Sequence, residues 1–133
     1  MLGGYVVSQI FLVEDDLDHA ELITTFLKVG GIENEIIWFK DAESTIERIM
    51  DITKKELELP IAIIIDLKLP RMSGFDLISN IRDIDRFKNV PIIVISSSSQ
   101  PSDISRAYKM GAVEYINKLT AMDYLAERIR AYI

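Results

Sequence analysis

The sequence predicts an α/β domain built on a doubly wound, five-stranded parallel sheet with helices on both faces. Three observations predict it. Short apolar runs rich in β-branched residues begin at positions 10, 36, 61, 91 and 113, each separated from the next by a helix-length segment. That alternation is the pattern of strands joined by crossover helices. The third run, Ile61–Ile65, has no polar residue, as expected of a strand buried on both faces. It ends on an acid, Asp66, and polar residues also follow the first, fourth and fifth runs. In a parallel sheet those residues share one edge, the carboxyl edge, where open α/β sheets carry their sites.

Taken in order, the first strand is Ile10–Val13, and residues 1–8 form an N-terminal extension. Asp18 with Glu21 reads as a capping box ahead of a helix over Ala20–Val29, with Leu22, Ile23, Phe26 and Leu27 as its stripe. Gly30-Gly31 ends that helix. The second strand is Ile36–Phe39. Its Trp38 lies next to the first strand, where its fluorescence can report cation binding. A helix from about Asp41 turns Ile46, Ile49 and Met50 inward, and Thr53–Leu59 is a charged connector. After Ile61–Ile65, Pro70 forbids a further ladder bond. Ser73 then caps a helix over Gly74–Arg82 with Asp76 three places on. Asp83–Asn89 is a polar loop. The fourth strand is Pro91–Ile95, and the fourth helix starts at Pro101, a favoured first-turn residue, and ends before Gly111. The fifth strand is Val113–Ile116. Thr120–Asp123 reads as another capping box, opening a helix that runs to the terminus. Met72, Met110 and Met122, with Met50, read as gap fillers of the core or its rim.

The bulk numbers narrow the function classes. A chain of 133 residues is long enough for one domain with its own core. A net charge of −6 argues against direct nucleic-acid binding, which needs a basic stripe. With no cysteine and one histidine, neither a disulfide frame nor a zinc site can be built. No apolar run has the length of a membrane span, and the first residues carry no signal-peptide pattern. His19 reads as an exposed residue of the first helix.

The carboxyl edge collects Glu14, Asp15 and Asp16 after the first strand, Asp66 after the third, Ser96 after the fourth and Lys118 after the fifth. If the strand order is 2-1-3-4-5, the first and third strands are neighbours and bring Glu14 and Asp15 beside Asp66. Clustered carboxylates repel unless a cation sits among them. Oxygen ligands with open water positions suit Mg²⁺, with Mn²⁺ as a substitute. A dication, an ammonium and a hydroxyl around one carboxylate are what a phosphoryl group requires. Asp66 is then a nucleophile that forms an acyl phosphate. Each residue also has a plainer reading: Asp66 and Asp16 as turn caps, the acids as a solvated loop, Ser96 as a strand-end serine, Tyr115 as sheet surface.

The segments Val13-Glu14-Asp15-Asp16, Ile64-Ile65-Asp66-Leu67-Lys68-Leu69-Pro70-Arg71-Met72-Ser73-Gly74, Ile95-Ser96 and Gly111-Ala112-Val113-Glu114-Tyr115-Ile116-Asn117-Lys118 together resemble the receiver domain of two-component response regulators. The resemblance runs from about Ile10 to Ile133 and is of the single-domain, chemotaxis-regulator-like kind. It implies the flavodoxin-like strand order 2-1-3-4-5. Asp66 is then the phosphoacceptor. Asp15 binds the metal directly, Glu14 through water, and the backbone carbonyl of Lys68 completes the set. Ser96 is the switch hydroxyl, Tyr115 the switch aromatic and Lys118 the phosphate-pairing lysine. The implied partners are a sensor histidine kinase or phosphotransfer protein, and a downstream target or a second copy docked on the face of helix 4, strand 5 and helix 5. No direct contact with nucleic acid or membrane is expected, and the expected location is cytoplasmic.

The sequence departs from the family at Leu119, where a proline in a cis peptide is usual, so the Lys118–Leu119 geometry stays open. Ser97 replaces a common alanine. Three rivals remain. A flavodoxin-like electron carrier would place phosphate at the loop where Glu14, Asp15 and Asp16 repel it. A phosphatase with an Asp-x-Asp motif lacks its second acid, because residue 68 is lysine. A degenerate receiver would only dock. No output domain is read in residues 1–133, which is the expectation for a stand-alone regulator or for a fragment of a larger regulator or hybrid kinase.

Overall fold

A computed structural model describes residues 8–133, so all of the expected extension except Ser8 lies outside the described residues. The strands are β1 (Ile10–Val13), β2 (Ile36–Phe39), β3 (Ala62–Asp66), β4 (Ile92–Ser96) and β5 (Glu114–Asn117). The helices are α1 (Leu17–Val29), α2 (Ala42–Lys54), α3 (Gly74–Arg82), α4 (Pro101–Lys109) and α5 (Leu125–Arg130). All strands pair in parallel in the order β2-β1-β3-β4-β5, as expected. Relative to the sequence reading, β3, β4 and β5 each start and end one residue later. Asp66 is therefore the last residue of β3 rather than the first beyond it.

Side chains alternate across the sheet and divide the core in two. Phe11, Val13, Ile63, Ile65, Ile92 and Val94 face α2, α3 and α4, meeting Ile49, Leu77, Ile81 and Ala107. Ile10, Leu12, Ala62, Ile64, Ile93 and Ile95 face α1 and α5, meeting Ile23, Leu27, Leu125 and Ile129. Gly30, which closes α1, lies where a Cβ would fall 2.2 Å from Ala126 Cβ, so the α1–α5 approach requires glycine.

Several local expectations are corrected. α1 begins earlier, capped by Asp16, whose carboxylate accepts the His19 N–H at 3.1 Å. Asp18 sits inside the first turn, where its charge complements the helix dipole. In α1, Ile23 and Leu27 are buried, while Leu22 is half exposed. The inward stripe of α2 is Ala42, Thr45, Ile49 and Ile52, which leaves Met50 one residue off the stripe and 53% exposed. The loop over Asp83–Asn89 is not wholly polar: a 3₁₀ turn at Asp85–Phe87 buries Phe87 completely. The capping box at Thr120–Asp123 does not form. Asn117 O accepts the Ala121 N–H, the chain winds into a 3₁₀ turn at Met122–Tyr124, and α5 then starts without a side-chain cap. Among the described residues, no helix is long and apolar enough to cross a membrane.

Candidate functional site

The site is assembled by strand ends. Val13 of β1 is in register with Ile65 of β3, so Glu14 and Asp66 emerge side by side. Carboxylate oxygens of Glu14, Asp15 and Asp66 lie within 4.8 Å of one another. Glu14 is fully buried, Asp66 nearly so, and Asp15 is exposed. Asp16 points back to cap α1 and is not in this group. The acids open on a cavity of about 380 Å³, whose wall also includes Lys68, Ser97, Lys118 and an apolar rim of Leu22, Leu119 and Met122.

Asp66 is held on both oxygens. Oδ1 accepts the Lys68 backbone N–H at 3.0 Å, and Oδ2 accepts from Lys118 Nζ at 2.7 Å. The loop that follows is tied down behind it. Arg71, in the left-handed region at φ 64°, bridges Asp41 at 3.0 Å and Glu43 at 3.1 Å at the start of α2. Such a backbone costs about 1–3 kcal/mol and persists only where its surroundings hold it, as the two ion pairs do here. Gly74 answers to sterics: a Cβ there would lie 2.3 Å from the Asp66 carbonyl oxygen and 2.7 Å from Leu67 Cα. The Asp66…Gly74 spacing therefore reflects α3 starting directly against the backbone of the acid.

Lys118 is the positive end of the site. Its backbone N–H donates to Ser96 O, which fixes where the side chain starts. Its ammonium pairs with both Asp66 and Glu14 and lies 3.2 Å from His19 Nδ1. Burial pulls the ammonium pKa down, but hydrogen bonds to Asp66 and Glu14 outweigh it and hold the pKa above the ordinary lysine value. The Glu14 pKa is also raised, but here burial is the cause and not the obstacle. Burial, with Asp66 nearby, lifts its carboxyl to about 7 against the pull of Lys118. Its Oε2 accepts the Asp16 N–H at 3.2 Å, while Oε1 pairs with the Lys118 ammonium. Three carboxylates whose oxygens lie within 4.8 Å of one another, facing one ammonium, form an all-oxygen donor set that fits a hard divalent cation.

Ser96 and Tyr115 stand one step back. Ser96 ends β4, buried, and its Oγ accepts the Ser98 N–H at 3.0 Å. The cavity wall beside it is Ser97. Tyr115 packs on the α2–α4 side of the core and donates its phenol proton to Ser98 O at 2.9 Å. The Lys118–Leu119 bond is trans, as are all described peptide bonds. Leu119 N–H is bonded to Asn117 Oδ1 at 2.8 Å, and its side chain is 77% exposed.

Two residues near the site make contacts that the sequence does not show. His19 reads from sequence as a surface residue. It is half exposed, but it lines the cavity and sits 3.8 Å from Glu14 Oε1. Its spacing four residues after Asp15, on the first turn of α1, is the signal that could have found it. The other is Trp38, whose indole N–H donates to the Glu14 carbonyl at 2.6 Å.

Comparison with known proteins identifies the family and the fold. The model of the response regulator receiver domain family matches residues 10–130. The probable methanogenesis regulatory protein FilR2 of Methanothrix harundinacea is 29% identical over 126 residues, covering 92% of this chain and 81% of that protein. The crystal structure of a response regulator receiver domain from Rhodospirillum rubrum superposes with a TM-score of 0.79 at 29% identity, covering 92% of this chain and 89% of that one. The Mn²⁺-bound form of response regulator Rcp1 gives a TM-score of 0.77 at 23% identity over 93% and 90%, a likeness of fold alone.

Proposed function

The chain belongs to the response regulator receiver domain family of two-component signalling, and from that premise we propose that it is a phosphorylation switch whose acceptor is Asp66. Receiver domains are signalling domains rather than classical enzymes; they bind a divalent metal and pair with histidine kinases. The observation that carries the proposal is the Asp66 carboxylate sharing one cavity with an ammonium 2.7 Å away and two further acids.

In the proposed reaction an Asp66 oxygen attacks the phosphorus of a phosphohistidine on a sensor kinase or phosphotransfer protein. The P–N bond breaks, its electron pair stays on the imidazole, and an acyl phosphate forms. Hydrolysis later returns the carboxylate and inorganic phosphate. Asp15, Asp66 and the Lys68 carbonyl, with Glu14 through water, would hold the cation: Mg²⁺ by the hardness of the donors, with Mn²⁺ as a substitute. When bound, the cation neutralises charge on the phosphoryl oxygens. Lys118 moves its hydrogen bond from Asp66 Oδ2 to a phosphoryl oxygen, and Ser96 turns its hydroxyl proton toward another.

Moving Ser96 disturbs its bond with the Ser98 N–H, and Ser98 is the residue whose carbonyl Tyr115 holds. That chain of contacts supports output through the face of α4, β5 and α5, where Tyr108 is exposed. The face is the proposed dock for a downstream protein or a second copy. On this reading residues 1–133 are a single receiver domain acting in the cytoplasm, alone or as the receiver of a larger regulator or hybrid kinase.

The test is incubation with Mg²⁺ and a small acyl-phosphate donor, followed by intact mass. One added phosphoryl group that disappears in an Asp66→Asn variant is the expected result. No uptake would make the chain a docking-only receiver. Undiminished labelling of the variant would move the acceptor elsewhere.

A further inference from the structure

The β1–β2 ladder ends at the acids. Glu14 N–H donates to Phe39 O at 3.0 Å. In a parallel pair the next rung would bring the N–H of Asp41 to the Glu14 carbonyl. Asp41 instead caps α2, with its carboxylate on the Ser44 N–H at 2.8 Å. The Glu14 carbonyl is left at the edge of a fully buried residue, where an unpaired oxygen is costly. Trp38 fills the missing rung from the side, its indole N–H 2.6 Å from that oxygen.

We propose that Trp38 is a positioning residue for cation binding: its indole N–H fixes the Glu14–Asp15 peptide, and so the direction in which Asp15 presents its carboxylate. The inference rests on the cation site proposed above and deepens it. The Glu14 carbonyl belongs to the peptide that carries Asp15, so rotating that plane swings the exposed acid. The rest of the segment is already held. Glu14 Oε2 takes the Asp16 N–H, and the Asp16 carboxylate takes the His19 N–H. Among the described residues no hydrogen bond or ion pair holds the Asp15 carboxylate, which is exposed. Trp38 is thus the link by which β2, a strand that carries none of the site residues, acts on the site. Trp38 is 41% exposed, so core filling alone does not account for it.

Trp38 is the only tryptophan in the chain, which permits an atomic substitution. Biosynthetic replacement by 3-benzothienylalanine puts sulfur in place of the indole N–H and keeps the shape of the ring. Trp38→Phe removes the same donor by a second route. Calorimetric titration with Mn²⁺ and with Mg²⁺ should show affinity falling about two- to tenfold, the worth of one neutral hydrogen bond. Phosphoryl uptake should fall at limiting Mg²⁺ and recover at saturating Mg²⁺, a split that general loss of structure does not produce. Unchanged affinity in both altered proteins, while the unsubstituted protein binds the cation, overturns the role of Trp38. Absence of binding to the unsubstituted protein overturns the cation site itself, and this inference with it.

Discussion

The acidic and basic sides of the site are held in different ways. On the acidic side the fold does the work. Asp66 is the last residue of a buried central strand, its Oδ1 is fixed by the Lys68 amide, and α3 presses against its carbonyl through Gly74. Glu14 follows the neighbouring strand directly. On the basic side the backbone start of Lys118 is fixed by Ser96, but the turn after it exposes Leu119 and relies on a single side-chain anchor, Asn117. The ammonium is aimed by Asp66 and Glu14 themselves. A site built this way keeps its acids preorganised and its lysine responsive, because a cation aimed by carboxylates follows the negative charge when it moves.

The largest effect that tests this contrast is expected at the proposed acceptor, Asp66. Asp66→Asn keeps the size and shape of the side chain, and Lys118 still has Glu14 as a partner. The variant should fold and take up no phosphoryl group by intact mass. If uptake persisted, the preorganised side would not be the reacting side.

Gly74→Ala probes the same side sterically. The new methyl would meet backbone, at 2.3 Å from Asp66 O, so no side chain can move to accept it. Overpacking of this kind costs about 1–3 kcal/mol. A lowered denaturant midpoint together with slower uptake is the expected pair of results. A shift of stability with uptake unchanged would separate the α3 contact from the proposed acceptor.

These two positions also show what the sequence could and could not convey. Asp66 and Gly74 were legible because each sits at an element boundary marked by residue type: an apolar run ending on an acid, and a serine cap before a helix. The strand order was legible for the same reason, since the βα alternation allows few topologies. The first turn of α1 was not. Asp16 and Asp18 both suit an N-cap, and only the backbone angles of Asp16 decide between them. The failed cap at Thr120 depends on Asn117, three residues earlier, taking the chain in another direction. Trp38 was legible as a neighbour of the first strand, but its hydrogen bond, like the contact of His19, was not, because the partners, the Glu14 carbonyl and Lys118, are 24 and 99 residues away in sequence.

Glu14 marks where the two sides meet, and pH reads it. Its folded pKa, about 7, lies above the ordinary value of 4.5, so the native protein binds this proton more tightly than the unfolded chain. The resulting stability is fully present below about 4.5 and is lost as pH rises through about 7. Asp16 and Asp41 act oppositely. The His19 backbone N–H lowers the first and hydrogen bonds from Ser44 lower the second. Their contributions are lost only as pH falls below the ordinary aspartate value of 3.8. Metal-free protein should therefore be most stable between pH 3.8 and 4.5, and lose on the order of 1–3 kcal/mol by about pH 8. Glu14→Gln should flatten that slope in urea titrations. A slope of the same size in the variant would assign the proton to another group.

The smallest effect is expected at His19, and it sharpens the contrast most. The imidazole Nδ1 lies 3.2 Å from Lys118 Nζ and 3.8 Å from Glu14 Oε1, yet the side chain is 54% exposed. Nδ1 can accept from the ammonium only in the tautomer that carries its proton on Nε2. Lys118 already has a shorter, charge-assisted bond to Asp66 at 2.7 Å. A solvent-exposed neutral acceptor adds little to such a pair, about 0–1 kcal/mol, which is less than about sixfold in rate. His19→Ala should slow phosphoryl uptake within that limit and leave cation affinity unchanged, while His19→Asn, which keeps an acceptor, should sit between the two proteins. A hundredfold loss in the alanine variant, restored by asparagine, would show that α1 aims the lysine. The basic side would then be held by the fold after all, and the asymmetry between the two halves of the site would be gone.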